Sequence, residues 1–590
     1  MDADKSGLFA HLLPLVKKNT RYIVIGGVAA IFANGLMLIN PYLIKLAFEA
    51  IESKQAMDVI FRLCMYMAGL SVAAGLFRFA MRRTIIWASR KIEYDLRNVM
   101  FAKWLDLDAS YYNRKRTGDL MAHATNDIEA VRMMTGPGIM HILNTIISVV
   151  IAVAFMVTLS VKLTLFTVLP LLLLALAYNR LGQLVHKKYL IIQNHFAFMT
   201  AQVQENLAGV RVIKAYGREK SEIDRMAATS RKYADMNLDM MKIYGFFRPL
   251  LFAIAGGVSL LVLYVGGREV GAGVFSLGTL VAFLGYLVWL VWPMMALGWV
   301  ISLYQRGTAS LERINKILNA EPMVSDSGKT GKKHREIKGK IEFRNLSFAY
   351  PSIEDKNPEN ILHDINVTID AGTRLGITGP TGSGKTTMVS LIPRLYPVSK
   401  GQLLIDGIDC TQLSIGALRN SIGFVPQETF LFSDTLEANI SFSRDSFEQQ
   451  KITDTARLAA LDEDVESFPE KYETMLGERG ITLSGGQKQR TALARAILKS
   501  PSIIILDDAT SSVDTETEQQ IFENLDRVLP GRTSIIISHR VSSLMKCDKI
   551  IYLEDGRIVE EGDHFKLISQ NGAYAALYRR QLMEASLEKM

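Results

Sequence analysis

The chain has 590 residues, 49% hydrophobic and 21% charged, and its mean hydropathy of +0.16 is too apolar for an ordinary soluble protein of this length. A single small binding module is excluded, because the length exceeds what one hydrophobic core supports. Sixty-seven Lys and Arg against 59 Asp and Glu leave a net charge of +8, while three scattered cysteines, Cys64, Cys410 and Cys547, exclude a disulfide framework, a zinc site and a CxxC redox pair.

The opening stretch, Met1 to Asn19, holds acidic residues and no long apolar core before a small-residue cleavage site, so neither a signal peptide nor a transit peptide is expected. Leu8 to Val16 predicts a short interfacial helix ending in Lys17 and Lys18. Tyr22 to Ile44 is free of Asp, Glu, Lys and Arg, and at about 1.5 Å per residue such a run crosses the roughly 30 Å hydrocarbon core of a bilayer. Val59 to Ala80 is a second span, with Arg62 and Arg78 near its ends, where long side chains snorkel to the interfaces. Uncharged runs at Met133–Val161, Leu163–Asn179, Pro249–Gly267 and Val270–Gln305 supply four more. Six spans are therefore expected, at about 22–44, 59–80, 135–160, 163–179, 249–267 and 272–303.

The connections after the second and fourth spans are long and basic. Arg82, Arg83, Arg90, Lys91, Arg97 and Lys103 lie in the first, and Arg180, Lys187, Lys188, Arg211, Lys214 and Arg218 in the second. The positive-inside rule makes both cytoplasmic and puts both termini inside. It also accounts for the basic balance without nucleic acid, since no basic stripe accompanies a base-reading motif. Both connections lack Pro/Gly clusters and keep helical spacing, which predicts membrane helices extended far into the cytoplasm.

Apolar character stops after Gln305, and Glu321 to Lys340 is rich in Lys, Gly and Ser, as an exposed linker is. The expected boundaries are a membrane domain over 1–320, a linker over 321–340 and a second domain over 341–590. From Ile341 onward, β-branched runs such as Ile341–Phe343, Arg374–Thr378, Ile503–Leu506 and Ser534–Ser538 alternate with helical stretches, the pattern of a mostly parallel α/β domain.

Gly379-Pro-Thr-Gly-Ser-Gly-Lys-Thr386 follows the strand ending at Thr378 and precedes the helical run Thr387 to Leu395, the context a phosphate-binding loop requires. Gly379, Gly382 and Gly384 let backbone N–H groups cradle phosphate together with Thr381, Ser383 and Thr387; Lys385 reaches the β and γ phosphates and Thr386 offers a ligand to Mg²⁺. Ile503-Ile-Ile-Leu-Asp507 reads as a Walker B strand whose Asp507 holds the metal. Between them, Leu483-Ser-Gly-Gly-Gln487 precedes the helix-forming stretch Lys488 to Leu498 and makes a second anion site at a helix start.

With these motifs in order, the chain resembles a half-transporter of the ATP-binding cassette exporter family over nearly its whole length. The resemblance implies a membrane all-α domain of six transmembrane helices followed by an α/β P-loop ATPase domain with an antiparallel β subdomain. It also implies ATP and Mg²⁺ as cofactors. In that family two nucleotide-binding domains close head to tail, so Ser484, Gly485, Gly486 and Gln487 are expected to touch ATP held by the partner subunit. Tyr350 sits where the family places an aromatic on adenine, and Gln427 matches the loop that senses metal and γ phosphate. Gly477-Glu-Arg-Gly480 resembles the exporter loop before the signature, Ser511-Ser-Val-Asp514 the D-loop and His539 the switch histidine. Tyr111-Tyr-Asn113, Thr117-Gly-Asp-Leu120 and Asn126-Asp127 resemble the first intracellular coupling segment, and Glu205 to Arg218 the approach to the second.

One position departs from the pattern. Where the family usually places a catalytic Glu after the Walker B aspartate, this chain has Asp508, one methylene shorter, and a misplacement of roughly 1 Å costs about a hundredfold in rate. The expectation is a site that binds ATP and hydrolyses it slowly, within a heterodimer whose other half-transporter carries the Glu. A homodimer with two equal sites is the alternative, and a nucleotide-gated channel or sensor is the rival from another class. The sixth span carries Tyr286, Trp289, Trp292, Met294, Met295 and Trp299, soft and aromatic groups suited to a small amphipathic substrate. Multi-pass placement in a bacterial cytoplasmic membrane completes the expectations, again by resemblance.

Overall fold

A long apolar run in a bilayer has no water to satisfy its backbone, so it must close its hydrogen bonds within itself as a helix. The computed structural model describes residues 7–326, 336–351, 358–442, 448–528 and 530–587. It divides into one unit of Met1–Trp104 with Gly118–Asn319 and a second of Leu105–Thr117 with Ala320–Met590.

The first unit is helical throughout. After α1 (Leu12–Lys18) come α2 (Thr20–Leu38), α3 (Asn40–Glu52) and α4 (Met57–Asp106); the chain then passes through α5 (Ala109–Asn113), which belongs to the second unit. Next are α6 (Thr117–Ala122), α7 (Ile128–Met133), α8 (Ile139–Leu159), α9 (Val161–Ala208), α10 (Val210–Ala215), α11 (Glu219–Gly271) and α12 (Leu277–Leu318). The Ser160 hydroxyl accepts from Leu163 N to cap α9, and that of Ser276 accepts from Thr279 N to cap α12, so these two connections end in side-chain caps. α12 packs along α3, α8 and α9, and α9 along α11. Phe283, Tyr286, Leu287 and Leu290 of α12 bury against Met156, Leu163, Leu171 and Val262 at the centre.

Three details differ from the sequence reading. The first helix starts at Leu12 rather than Leu8 and buries Leu12 among Ile92, Leu96, Leu311 and Ile314. The first membrane run breaks at Ile39 and resumes at Asn40, with Pro41, which has no N–H to donate, in the opening turn of α3. Between Thr117 and Leu159 the helix carries two π turns, His123–Asp127 and Met134–Gly138, the second containing Pro137.

The second unit holds two sheets. β1 (Ile341–Phe348), β2 (Leu362–Ile369), β4 (Leu403–Ile405) and β5 (Ile408–Asp409) form an antiparallel sheet in the order β2-β1-β4-β5. β3 (Arg374–Thr378), β6 (Ile422–Val425), β7 (Ile503–Asp507), β8 (Thr533–Ile537), β9 (Lys549–Glu554) and β10 (Arg557–Gly562) form the other, in the order β10-β9-β3-β8-β7-β6. β3, β6, β7, β8 and β9 are parallel, and β7 and β8 are buried along their whole length, as the unbroken Ile runs require. Ile377 of β3 and Asp507 of β7 both register with Ile537 of β8. The three loops that follow these strands therefore leave the sheet at one end, where open α/β sheets bind ligands.

Candidate nucleotide site

The loop after β3 is built around three glycines with positive φ: +144° at Gly379, +85° at Gly382 and +96° at Gly384. A Cβ at Gly379 would stand 2.0 Å from Leu553 O, so no other residue fits there. Gly384 precedes the helix Lys385–Leu391. Lys385 is buried, and its Nζ donates to Gly379 O at 2.9 Å and Pro380 O at 2.8 Å, which curls the loop over its own lysine. Burial lowers the Lys385 pKa, and the carboxylates of Asp508 and Asp507 oppose that shift. Ser383 Oγ is buried without a partner among the described residues.

Asp507 ends β7 at 1% exposure. Neither of its carboxylate oxygens has a hydrogen-bond partner among the described residues. Burial pushes its pKa up to about 6, with the Asp508 charge adding to the rise and Thr386 and Lys385 opposing it. A buried, unsatisfied acid of this kind is costly to the fold, and it suits a divalent cation completed by phosphate oxygens and water. Among the described residues, no group of three His, Cys, Asp or Glu side chains could hold a metal by itself.

Asp508 has φ +47°, a left-handed conformation that Asp tolerates better than most residues. Its N–H donates to Ile537 O at 3.1 Å, and His539 Nε2 lies 3.4 Å from its Oδ2. Gln427 is exposed just beyond β6. Tyr350 is half-buried, its hydroxyl 3.0 Å from Thr387 Oγ1 and its ring edge-on to Phe348 and Tyr396. Asn113 of α5 donates to Tyr396 Oη at 2.8 Å, and Asp108 accepts from Met323 N at 2.6 Å. These bonds fasten Leu105–Thr117 to the nucleotide unit, a placement that sequence reasoning missed because the pairing spans more than two hundred residues.

Ser484 caps the helix Gly485–Leu498 in a reciprocal capping box: its hydroxyl accepts from Gln487 N at 3.2 Å, and Gln487 Oε1 accepts from Ser484 N at 2.9 Å. Gly485 and Gly486 lie against the D-loop, where a Cβ at Gly486 would stand 3.0 Å from Ser512 O. Buried Gln489, which sequence reasoning did not single out, donates to Ser511 Oγ at 2.8 Å and accepts from Ser512 N at 2.9 Å. Of the aromatic groups in α12, Tyr286 is fully buried and stacks on Phe155, while Trp299 lies edge-on to His141. The side chains of Trp292, Met294 and Met295 lie outside the described residues, as does 327–335 of the expected linker.

Residues 23–294 match the family model for the ABC transporter transmembrane region and residues 362–511 the model for ABC transporter. The chain is 34% identical over 583 residues to the multidrug resistance-like ATP-binding protein MdlA of Escherichia coli, covering 98% of each. It is 32% identical over 580 residues to the ATP-dependent lipid A-core flippase of Syntrophus aciditrophicus, covering 98% of this chain and 95% of that one. A bacterial Atm1-family ABC exporter with ATP bound superposes with a TM-score of 0.81 at 26% identity, covering 96% of this chain and 99% of that chain. The chain therefore belongs to the ABC transporter family, as a membrane-embedded exporter whose helical domain is fused to an ABC ATPase domain, and it couples ATP hydrolysis to transport.

Proposed function

We propose that this exporter works as one half of a dimer, moving a lipid-like amphipathic molecule across a bacterial inner membrane by alternating between inward-facing and outward-facing states. ATP drives the change because it binds the closed arrangement of the two ATPase domains more tightly than the open one. The observation that carries the reading is the buried Asp507 carboxylate at the strand end beside the Lys385 loop, without a close hydrogen-bond partner among the described residues, which suits a cation completed by bound nucleotide.

In this reading Gly379, Thr381, Gly382, Ser383, Gly384, Lys385, Thr386 and Thr387 bind the phosphates and Tyr350 holds adenine. Thr386, Gln427 and Asp507 hold Mg²⁺, which when bound neutralises charge on the phosphate oxygens. Asp508 orients the attacking water, His539 stands at the γ phosphate, and Ser484 to Gln487 serve the ATP of the partner subunit. The attachment of Leu105–Thr117 through Asp108 and Asn113 supports a role for that segment as a lever, since the chain runs from it into long helices at both ends. Basic residues concentrated in the long connections support cytoplasmic termini.

We further infer a heterodimer in which Asp508 makes the slow site and the intact signature of this chain completes the fast one. A homodimer is the second reading, and one observation favours it: φ +47° at residue 508 suits Asp better than Glu. The names of the relatives, a multidrug-type protein and a lipid A-core flippase, support an amphipathic cargo.

Reconstitution into proteoliposomes with a fluorescent phospholipid analogue tests the function. MgATP is expected to drive its net movement between leaflets in the wild type and not in Lys385→Ala. Equal movement in the two proteins would contradict the proposal.

A further inference from the structure

The switch histidine sits in a short segment leaving β8, and more than the strand fixes its place. One side chain of the helix Ala573–Leu587 reaches it: Gln581 Nε2 donates to His539 O at 2.6 Å, and Gln581 Oε1 accepts from Val541 N at 2.9 Å. A primary amide that satisfies a carbonyl and an N–H two residues apart imitates a strand neighbour and fixes the peptide planes on both sides of Arg540.

The helix that presents Gln581 is itself anchored. Ala573 N and Tyr574 N donate to the Glu560 carboxylate of β10, and fully buried Tyr574 bonds His564 Nδ1 through its hydroxyl at 2.9 Å. Tyr574, Leu577, Tyr578 and Gln581 follow the i, i+3, i+4, i+7 spacing of one helix face, and the first three pack into the core of the unit. Gln581 therefore projects from a rigid base. On the other side, buried Glu518 pairs with Arg540 while accepting from Thr510 Oγ1 at 2.7 Å and Ser543 Oγ at 2.8 Å.

We propose that Gln581 is a positioning residue for ATP hydrolysis: by clamping the peptides on either side of Arg540, it sets where His539 Nε2 stands relative to Asp508 and the γ phosphate. The inference rests on the reading of His539 given above. The His539 ring is half-exposed, so the course of its backbone does much to set where it stands.

The test uses the full-length complex with Gln581→Met, which keeps size and removes both hydrogen bonds, and Gln581→Glu, which keeps the acceptor and loses the donor. In single-turnover ATP hydrolysis both are expected to slow the phase that belongs to this chain's Lys385 site on the order of tenfold while ATP affinity at that site stays within about twofold, because a misplaced catalytic group slows chemistry without weakening binding. In single-turnover hydrolysis, Gln581→Met added to His539→Ala is expected to cause no further loss. An unchanged rate of that phase in both single variants, or the same fold-loss in the His539→Ala background, would overturn the proposal. Loss of ATP binding by both variants would make Gln581 a folding residue and overturn it equally. Wild-type hydrolysis by His539→Ala would instead remove the reading of the histidine, a result distinct from an inert Gln581.

Discussion

Replacing Asp508 with Glu adds one methylene to a side chain that is 8% exposed and lies 3.4 Å from His539 Nε2. The carboxylate advances by roughly 1.5 Å, and since about 1 Å of misplacement costs near a hundredfold in rate, the gain expected at a site now too short is about ten- to a hundredfold in kcat. The backbone opposes this: at φ +47° a Glu gives up the local tolerance that Asp has, a cost of roughly 1 kcal/mol. That cost falls on the folded state with and without nucleotide alike, so it lowers Tm by a few degrees at most and leaves the rate gain intact. In a heterodimer a fast partner site masks the change in steady state, so the assay is a single-turnover time course of ATP hydrolysis by the purified complex. The slow phase should accelerate, with ATP affinity within about twofold. A slow phase unchanged or slower, in a protein that still binds ATP, would refute the argument that Asp508 is too short.

Lys385→Ala removes the cation the loop curls around and is expected to abolish the slow phase of single-turnover hydrolysis and to reduce the Tm increase that MgATP gives the wild type, a stabilisation of about 2.7 kcal/mol per site at a hundredfold excess over Kd; differential scanning fluorimetry reads the second effect. Gly486→Val drives side-chain carbon toward Ser512 O, 3.0 Å from the position a Cβ would take, and should cut hydrolysis at least tenfold while equilibrium ATP binding to the Lys385 loop persists. Glu518→Ala leaves Arg540, Thr510 and Ser543 without their shared acceptor; a loss of about 3 kcal/mol is expected, read as a fall in the Tm of the ATPase domain. Chelation by EDTA should stop hydrolysis and leave ATP bound, with Mg²⁺ restoring the rate.

The helices and the phosphate loop were legible because their signals are local. An uncharged run has one solution in a bilayer, and Gly379, Gly382 and Gly384 stand at backbone angles that other residues rarely reach. The π turns at His123–Asp127 and Met134–Gly138 were not legible, since their hydrogen-bond shift leaves no mark in residue type beyond Pro137. The break at Ile39 had a sign in Pro41, but a proline in the first turn of a helix is equally at home in a continuous reading. In the site, strand order brought the ends of β3, β7 and β8 together, and sequence could place residues on those strands without giving their register. Gln489 and Gln581 were missed because a glutamine on a helix is ordinarily a solvated residue; only the tertiary pairing reveals them. Tyr286, chosen as a pocket group, lies fully buried in the helix core, where an aromatic side chain serves packing as readily as binding.

Native mass measurement of the complex purified from its own membrane decides whether the exporter has two unlike ATP sites with Asp508 at the slow one. The expected complex is one 65.8 kDa chain paired with a second chain of different mass that carries Glu after its Walker B aspartate. A complex of two 65.8 kDa chains with full ATPase activity would contradict it and assign the catalysis to Asp508 itself.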